Sequence, residues 1–138
     1  MKGVARVEPE AKARILVVDD DPSLQKLVHS LLTRANMEPL SAVNAAEAAQ
    51  VLRRPPVPDV LVLDLMLPDI SGITFLRQLR SKEAFDKMPI IILSAMADPD
   101  TIREGLDSGA DRYLTKPYLA NNLIKTLNEV MKKDRTEE

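Results

Sequence analysis

Four places in this chain carry residue types that can bind a cation or move a phosphoryl group. Asp19, Asp20 and Asp21 stand in a row before Pro22; Asp64 and Ser94 each follow an apolar run; Lys116 follows Tyr113-Leu-Thr115. Carboxylates gathered in a concavity repel one another, which raises their proton affinity and costs stability. A hard divalent cation relieves this: Mg²⁺ prefers oxygen, takes one or two carboxylates and keeps positions for water and phosphate oxygens. It also shields an anionic phosphoryl donor from the acids. Lys116 would hold a phosphoryl oxygen as a point charge, and the Ser94 hydroxyl would donate to another. One aspartate is then left as nucleophile, forming an acyl phosphate. Taken singly, each residue has an ordinary reading. The Asp run is a solvated turn and helix cap, Asp64 a turn residue, Ser94 a partner for backbone, and Lys116 a surface charge. Their placement along the fold decides.

That placement follows from the elements. Arg14-Ile-Leu-Val-Val18, Asp59-Val-Leu-Val-Leu63 and Pro89-Ile-Ile-Ile-Leu93 read as buried parallel strands, Glu38 to Val43 as a weaker one and Arg112 to Thr115 as a short one. Between them run helical patterns. The first has Leu24, Leu27, Val28, Leu31 and Leu32 on its inner stripe, with Asp21 as cap and Pro22 at its first position. Asn44 and Glu47 form a capping box before the alanine-rich second helix, and Pro55-Pro56-Val57-Pro58 stops it. Ile73, Leu76 and Leu79 mark the third helix. Asp98-Pro99 opens the fourth, with Ile102 and Leu106 inward, and Leu119 to Met131 forms the last. Strict alternation of strand and helix predicts an α/β fold, a parallel sheet covered on both faces. Ligands in such folds bind beyond the carboxyl ends of the strands, which is where all four chemical positions fall.

Composition narrows the function. The chain has 138 residues, 45% hydrophobic and 29% charged, which suits one globular domain at 14–133 between an N-terminal tail (1–13) and a C-terminal tail (134–138). With no cysteine and one histidine, thiolate chemistry and multi-histidine metal centres are excluded. A net charge of −2 and four aromatics (two Tyr, two Phe) argue against a nucleic-acid surface. No run approaches membrane-spanning length and no signal-peptide core opens the chain, so a cytoplasmic protein without membrane insertion is expected.

Ile15-Leu-Val-Val-Asp-Asp-Asp21, Val62-Leu-Asp-Leu-Met-Leu-Pro68, Ile92-Leu-Ser-Ala95 and Tyr113-Leu-Thr-Lys-Pro117 together resemble the receiver domain of two-component response regulators, from about Arg14 to Lys133. The resemblance implies a single-domain, doubly wound flavodoxin-like fold, with five helices around five strands in 2-1-3-4-5 order. It implies that Asp64 accepts a phosphoryl group from a phosphohistidine on a sensor kinase or histidine phosphotransfer protein. Asp19, Asp20, Asp64 and the Met66 carbonyl would hold Mg²⁺, or Mn²⁺ in its place. Ser94 and Lys116 would contact the phosphoryl oxygens, Ser94 and Tyr113 would form the switch, and the Lys116–Pro117 bond would be cis. By the same resemblance the domain is no enzyme toward external substrates. It signals through a downstream protein or a homodimer, using the face of the fourth helix, fifth strand and fifth helix. Ser71-Gly72 departs from the more frequent Asp-Gly, which bears on loop geometry.

Competing folds fit less well. A dinucleotide site needs a Gly-rich turn where this chain has three acids, and a dehalogenase-type phosphatase needs a second acid at Met66. No DNA-binding or cyclase segment follows Lys133 here, so a stand-alone receiver and one taken from a longer regulator both stay open, a start at Met1 favouring the first. His29 is expected to face solvent. Met66 and Met96, each two residues past a site residue, are expected to border the approach of water to Asp64 and retard hydrolysis of its phosphate.

Overall fold

The structure, a computed structural model, describes residues 12–116 and 120–136. Five strands, β1 (Arg14–Val18), β2 (Glu38–Ala42), β3 (Val60–Leu63), β4 (Ile90–Ser94) and β5 (Arg112–Thr115), alternate with α1 (Pro22–Arg34), α2 (Ala45–Arg53), α3 (Gly72–Arg80), α4 (Pro99–Asp107) and α5 (Ala120–Thr136). All pairings are parallel and the sheet order is β2-β1-β3-β4-β5. Both the fold class and the strand order agree with the sequence reading.

The pleat sorts the apolar runs onto two faces. Ile15, Val17, Val60, Val62, Ile91 and Leu93 point to one side, where Leu24, Val28 and Leu32 of α1 and Leu123, Leu127 and Val130 of α5 cover them. Leu16, Val18, Leu61, Leu63, Ile90 and Ile92 point to the other, under Ala45, Ala48 and Leu52 of α2 and Phe75, Leu76 and Leu79 of α3. Burying each such Leu or Ile contributes about 1.5–3 kcal/mol, so the three central strands are the rigid frame behind the site.

Helix starts are fixed by side chains. Asp21, Asn44, Ser71 and Asp98 each accept a backbone N–H in the first turn of α1, α2, α3 and α4. The Asn44–Glu47 box is complete, because Glu47 in turn accepts the Val43 N–H. At the opposite end of the sheet, Arg80 donates to the carbonyls of Gly109 and Phe85 and to Asp111, tying α3 to the turn before β5. Gly109 has φ 122°, and a side chain there would stand 2.7 Å from Arg80 Cγ, so this turn requires glycine.

Several local expectations are corrected. Leu27 is 48% exposed, because Leu24, Val28 and Leu32 fill the sheet-facing stripe and leave it at the edge. Leu106 is likewise 41% exposed; α4 approaches the sheet through Gly105, whose missing side chain would stand 2.6 Å from Ile92 Cδ1. His29 is half-buried, its Nε2 enclosed without a hydrogen-bond partner among the described residues, because α1 lies over β2. β2 ends at Ala42 rather than Val43, and β3 and β4 each start one residue later than expected, with Ser94 inside β4. A short 3₁₀ turn at Glu83–Phe85 was not foreseen, and α5 continues to Thr136, past the expected end at Met131. Leu119, its expected start, lies outside the described residues.

Candidate functional site

Where β1 and β3 end side by side, the chain turns out of the sheet at Asp19 and Asp64. Each is held by one last ladder bond, Asp19 N–H to Ala42 O and Asp64 N–H to Val18 O, both 3.0 Å. Their carboxylates therefore start from the most rigid part of the frame. Asp19 is 2% and Asp64 6% exposed, whereas Asp20 faces solvent. One carboxylate oxygen from each of the three lies within 4.8 Å of the others. An open cleft of about 500 Å³ runs from Asp20 along Leu65–Ser71.

Lys116, just past β5, brings the ammonium. Its N–H bonds to Ser94 O at 2.9 Å, and its Nζ donates to Asp19 Oδ2 at 2.9 Å and Asp64 Oδ2 at 3.5 Å. Burial works against that charge, but the hydrogen bond to Asp19 and the fields of Asp64 and Asp19 outweigh it and hold the ammonium pKa above the ordinary lysine value. Asp64 moves upward too. Its burial is the main cause and the Asp19 charge the second, with Lys116 and the Met66 N–H opposing. One ammonium against three carboxylates leaves the pocket with excess negative charge, and all its donors are hard oxygens. That donor set fits a divalent cation of the Mg²⁺ kind.

Ser94 is fully buried at the end of β4, and its Oγ accepts the Met96 N–H at 3.1 Å. Tyr113 donates from its hydroxyl to Met96 O at 2.6 Å, so the β4–α4 loop is held by both switch candidates. Burial raises the Tyr113 pKa, with Ser94 opposing and the charges of Asp98 and Asp64 adding. Its ring lies against Gly105 of α4. Met66 (64% exposed) and Met96 (38%) stand open in the loops that follow Asp64 and Ser94. Asp21 caps α1 through Ser23 and stays outside the cluster. Pro117 and its expected cis bond lie outside the described residues.

Two supporting residues, Gln25 and Asp69, escaped the sequence reading, and a third, Gly72, enters it only through loop geometry. Gln25 donates its amide toward the carbonyls of Val17, Asp19 and Ala42, bracing the acidic β1–α1 turn. Gly72 is needed because a Cβ there would stand 2.3 Å from Asp64 O and 2.6 Å from Leu65 Cα. Asp69 accepts the N–H groups of Ala45, Ala46 and Ile70, each at 3.0 Å. Gly72 had a signal in Ser-Gly before an apolar helix; Gln25 and Asp69 act across elements and had none.

Solved structures share this fold, and curated proteins are similar in sequence. The Chloroflexus aurantiacus structure of a putative response regulator has a TM-score of 0.84 at 29% identity, covering 88% of this chain and 99% of that one. Chemotaxis protein CheY4 of Vibrio cholerae has a TM-score of 0.80 at 31% identity, covering 87% and 99%. The phosphate regulon transcriptional regulatory protein PhoB of Pseudomonas aeruginosa is 38% identical over 121 residues, 86% of this chain and 52% of its own length. Synechocystis RpaA, a DNA-binding dual master transcriptional regulator, is 35% identical over 120 residues, 87% and 49%. The chain thus spans about half the length of the curated relatives it matches. Among the described residues no helix is long and apolar enough to cross a membrane. A family profile described as the response regulator receiver domain matches residues 15–128. That span runs from the second residue of β1 past β5 and takes in every acid of the cluster, so this chain belongs to the response regulator receiver domain family of two-component systems.

Proposed function

We propose that this receiver takes a phosphoryl group onto Asp64 from a phosphohistidine of a sensor kinase or histidine phosphotransfer protein, in a Mg²⁺-dependent step. The observation that carries the reading is the closure of Asp19, Asp20 and Asp64 to within 4.8 Å beside the Lys116 ammonium. In the step, an Asp64 carboxylate oxygen forms the new bond to phosphorus. The phosphorus–nitrogen bond breaks, and its electron pair stays on the imidazole of the donor. Asp19, Asp20, Asp64 and the Met66 carbonyl would hold the cation, with Mn²⁺ able to replace Mg²⁺. Bound there, the cation supplies charge neutralisation for the incoming phosphoryl oxygens. Lys116, already aimed at Asp64 Oδ2, would hold one phosphoryl oxygen when a cation is bound to the carboxylates it now meets. Ser94, whose Oγ accepts the Met96 N–H, would donate its own O–H to another, and so joins that oxygen to the β4–α4 loop that Tyr113 also holds.

This coupling makes the face of α4, β5 and α5 the output surface, toward a second copy or a downstream protein. Arg103 and Asp107 are exposed on α4, Lys125 on α5, and Arg112 of β5 pairs with Glu129 at 3.9 Å. The domain acts as a cytoplasmic phosphoacceptor without turnover of an external substrate. Incubation with Mg²⁺ and acetyl phosphate is expected to add one phosphoryl mass to wild type and none to Asp64→Asn. Uptake by Asp64→Asn would overturn the reading.

A further inference from the structure

We infer that Asp69 is a positioning residue that holds the loop between β3 and α3 in the shape that presents Met66 to the cation, by clamping it to the first turn of α2. The inference rests on the reading of Asp64 as a Mg²⁺-dependent phosphoacceptor.

This loop leaves the sheet at Asp64 and rejoins regular structure at Gly72, where the Gly72 N–H bonds to Leu65 O at 2.8 Å. That bond fixes the base of the loop. Its middle has exposed Met66, Pro68 and Asp69, with Leu67 and Ile70 half-buried on the core. Asp69 adds directional hydrogen bonds from this middle to another element: Oδ1 accepts the Ala45 N–H, Oδ2 the Ala46 N–H, both at 3.0 Å. Oδ1 also takes the Ile70 N–H, which sets the local turn.

The anchor is well chosen. α2 begins just after Ala42, whose carbonyl accepts the Asp19 N–H. The first turn of α2 therefore belongs to the same frame as Asp19, and Asp69 shares the cleft beside Asp20. Through Asp69 the loop that supplies one side of the cation site is registered against the strand end that supplies the other. A capping box already serves the helix: Asn44 accepts the Glu47 N–H, and Glu47 accepts the Val43 N–H. Among the described residues no hydrogen bond joins the Asn44 side chain to the loop, so removing Asn44 weakens the helix start without touching the clamp.

The test uses the full chain and Mg²⁺ alone as the probe, with binding followed by calorimetry and by the Met66 amide resonance. Asp69→Ala is expected to raise the Mg²⁺ dissociation constant by about tenfold or more, the size seen when outer-shell partners of a metal site are removed. Asp69→Asn, which keeps one acceptor oxygen, is expected to fall between Asp69→Ala and wild type, and it serves alone if Asp69→Ala does not fold. Asn44→Ala is expected to lower the melting temperature yet leave Mg²⁺ affinity unchanged. At saturating Mg²⁺ the phosphorylation rate of the Asp69 variants should return to that of wild type, because the nucleophile is untouched. Wild-type Mg²⁺ affinity in the Asp69 variants would overturn the inference while leaving the phosphoacceptor reading intact. An equal loss in Asn44→Ala would overturn it as well, since helix stability would then account for the effect. Absence of Mg²⁺ binding by wild type would overturn both.

Discussion

As the proposed phosphoacceptor, Asp64 would have to be buried enough to exclude competing water and charged enough to act as a nucleophile, and its surroundings pull in both directions. Burial first, and Asp19 second, push its pKa above the ordinary 3.8. The folded state therefore holds this proton more tightly than the unfolded chain, and the associated stability is lost as pH rises from 3.8 through the folded pKa. Lys116, raised above 10.5, adds stability that is present below that value and lost as pH rises through its folded pKa. Metal-free Asp64→Asn is accordingly expected to melt higher than wild type at neutral pH and to show a flatter pH profile in the acid range, which calorimetry can check. The two exposed methionines give a second prediction at this scale. Neither Met66 nor Met96 can orient water firmly or act as a base. Replacing Met66 by Asn and Met96 by Glu should speed decay of the phosphorylated protein, together more than singly, as followed by intact mass.

At the scale of elements, what matters is where each helix meets the sheet. Gly72 lets the start of α3 lie directly on the Asp64 peptide, so Gly72→Ala must push backbone rather than a flexible side chain. It is expected to cost about 1–3 kcal/mol in urea unfolding and to weaken Mg²⁺ binding along with it. Within α1 the exposures of Leu27 and Leu32 differ sharply, 48% against 0%. Leu32→Ala should cost about 2–5 kcal/mol, whereas Leu27→Ala should stay within roughly 0.5 kcal/mol. Equal losses would mean that α1 sits rotated from the position described.

For the whole molecule, a cation at the clustered acids would couple ion binding to folding. A cation that binds the native pocket and not the unfolded chain stabilises by mass action, by about 2.7 kcal/mol at a hundredfold excess over its dissociation constant. Mg²⁺ should raise the melting temperature of wild type and do so less for Asp20→Asn; equal rises would place the ion elsewhere. Beryllofluoride with Mg²⁺ should shift amides of α4, β5 and α5, because Ser94 and Tyr113 both hold the loop that leads into α4. Shifts confined to the neighbourhood of Asp64 would argue against that face.

The order of strands and helices, the two-sided core and the gathering of Asp19, Asp20, Asp64, Ser94 and Lys116 at one sheet edge were all legible from the sequence. Each rests on local information: apolar runs of strand length, capping residues before helices, and the rule that parallel strands present their carboxyl ends together. Tertiary structure alone decided where the edges of each helix's buried stripe fall. Leu27, His29 and Leu106 were misplaced because helical periodicity gives the apolar stripe but not its edges, which depend on how α1 leans over β2 and how closely Gly105 lets α4 approach. Only the fold, too, revealed Gln25 and Asp69 as braces. Their partners are backbone groups of other elements, and a backbone N–H or carbonyl leaves no mark in the sequence by which its distant side-chain partner can be found.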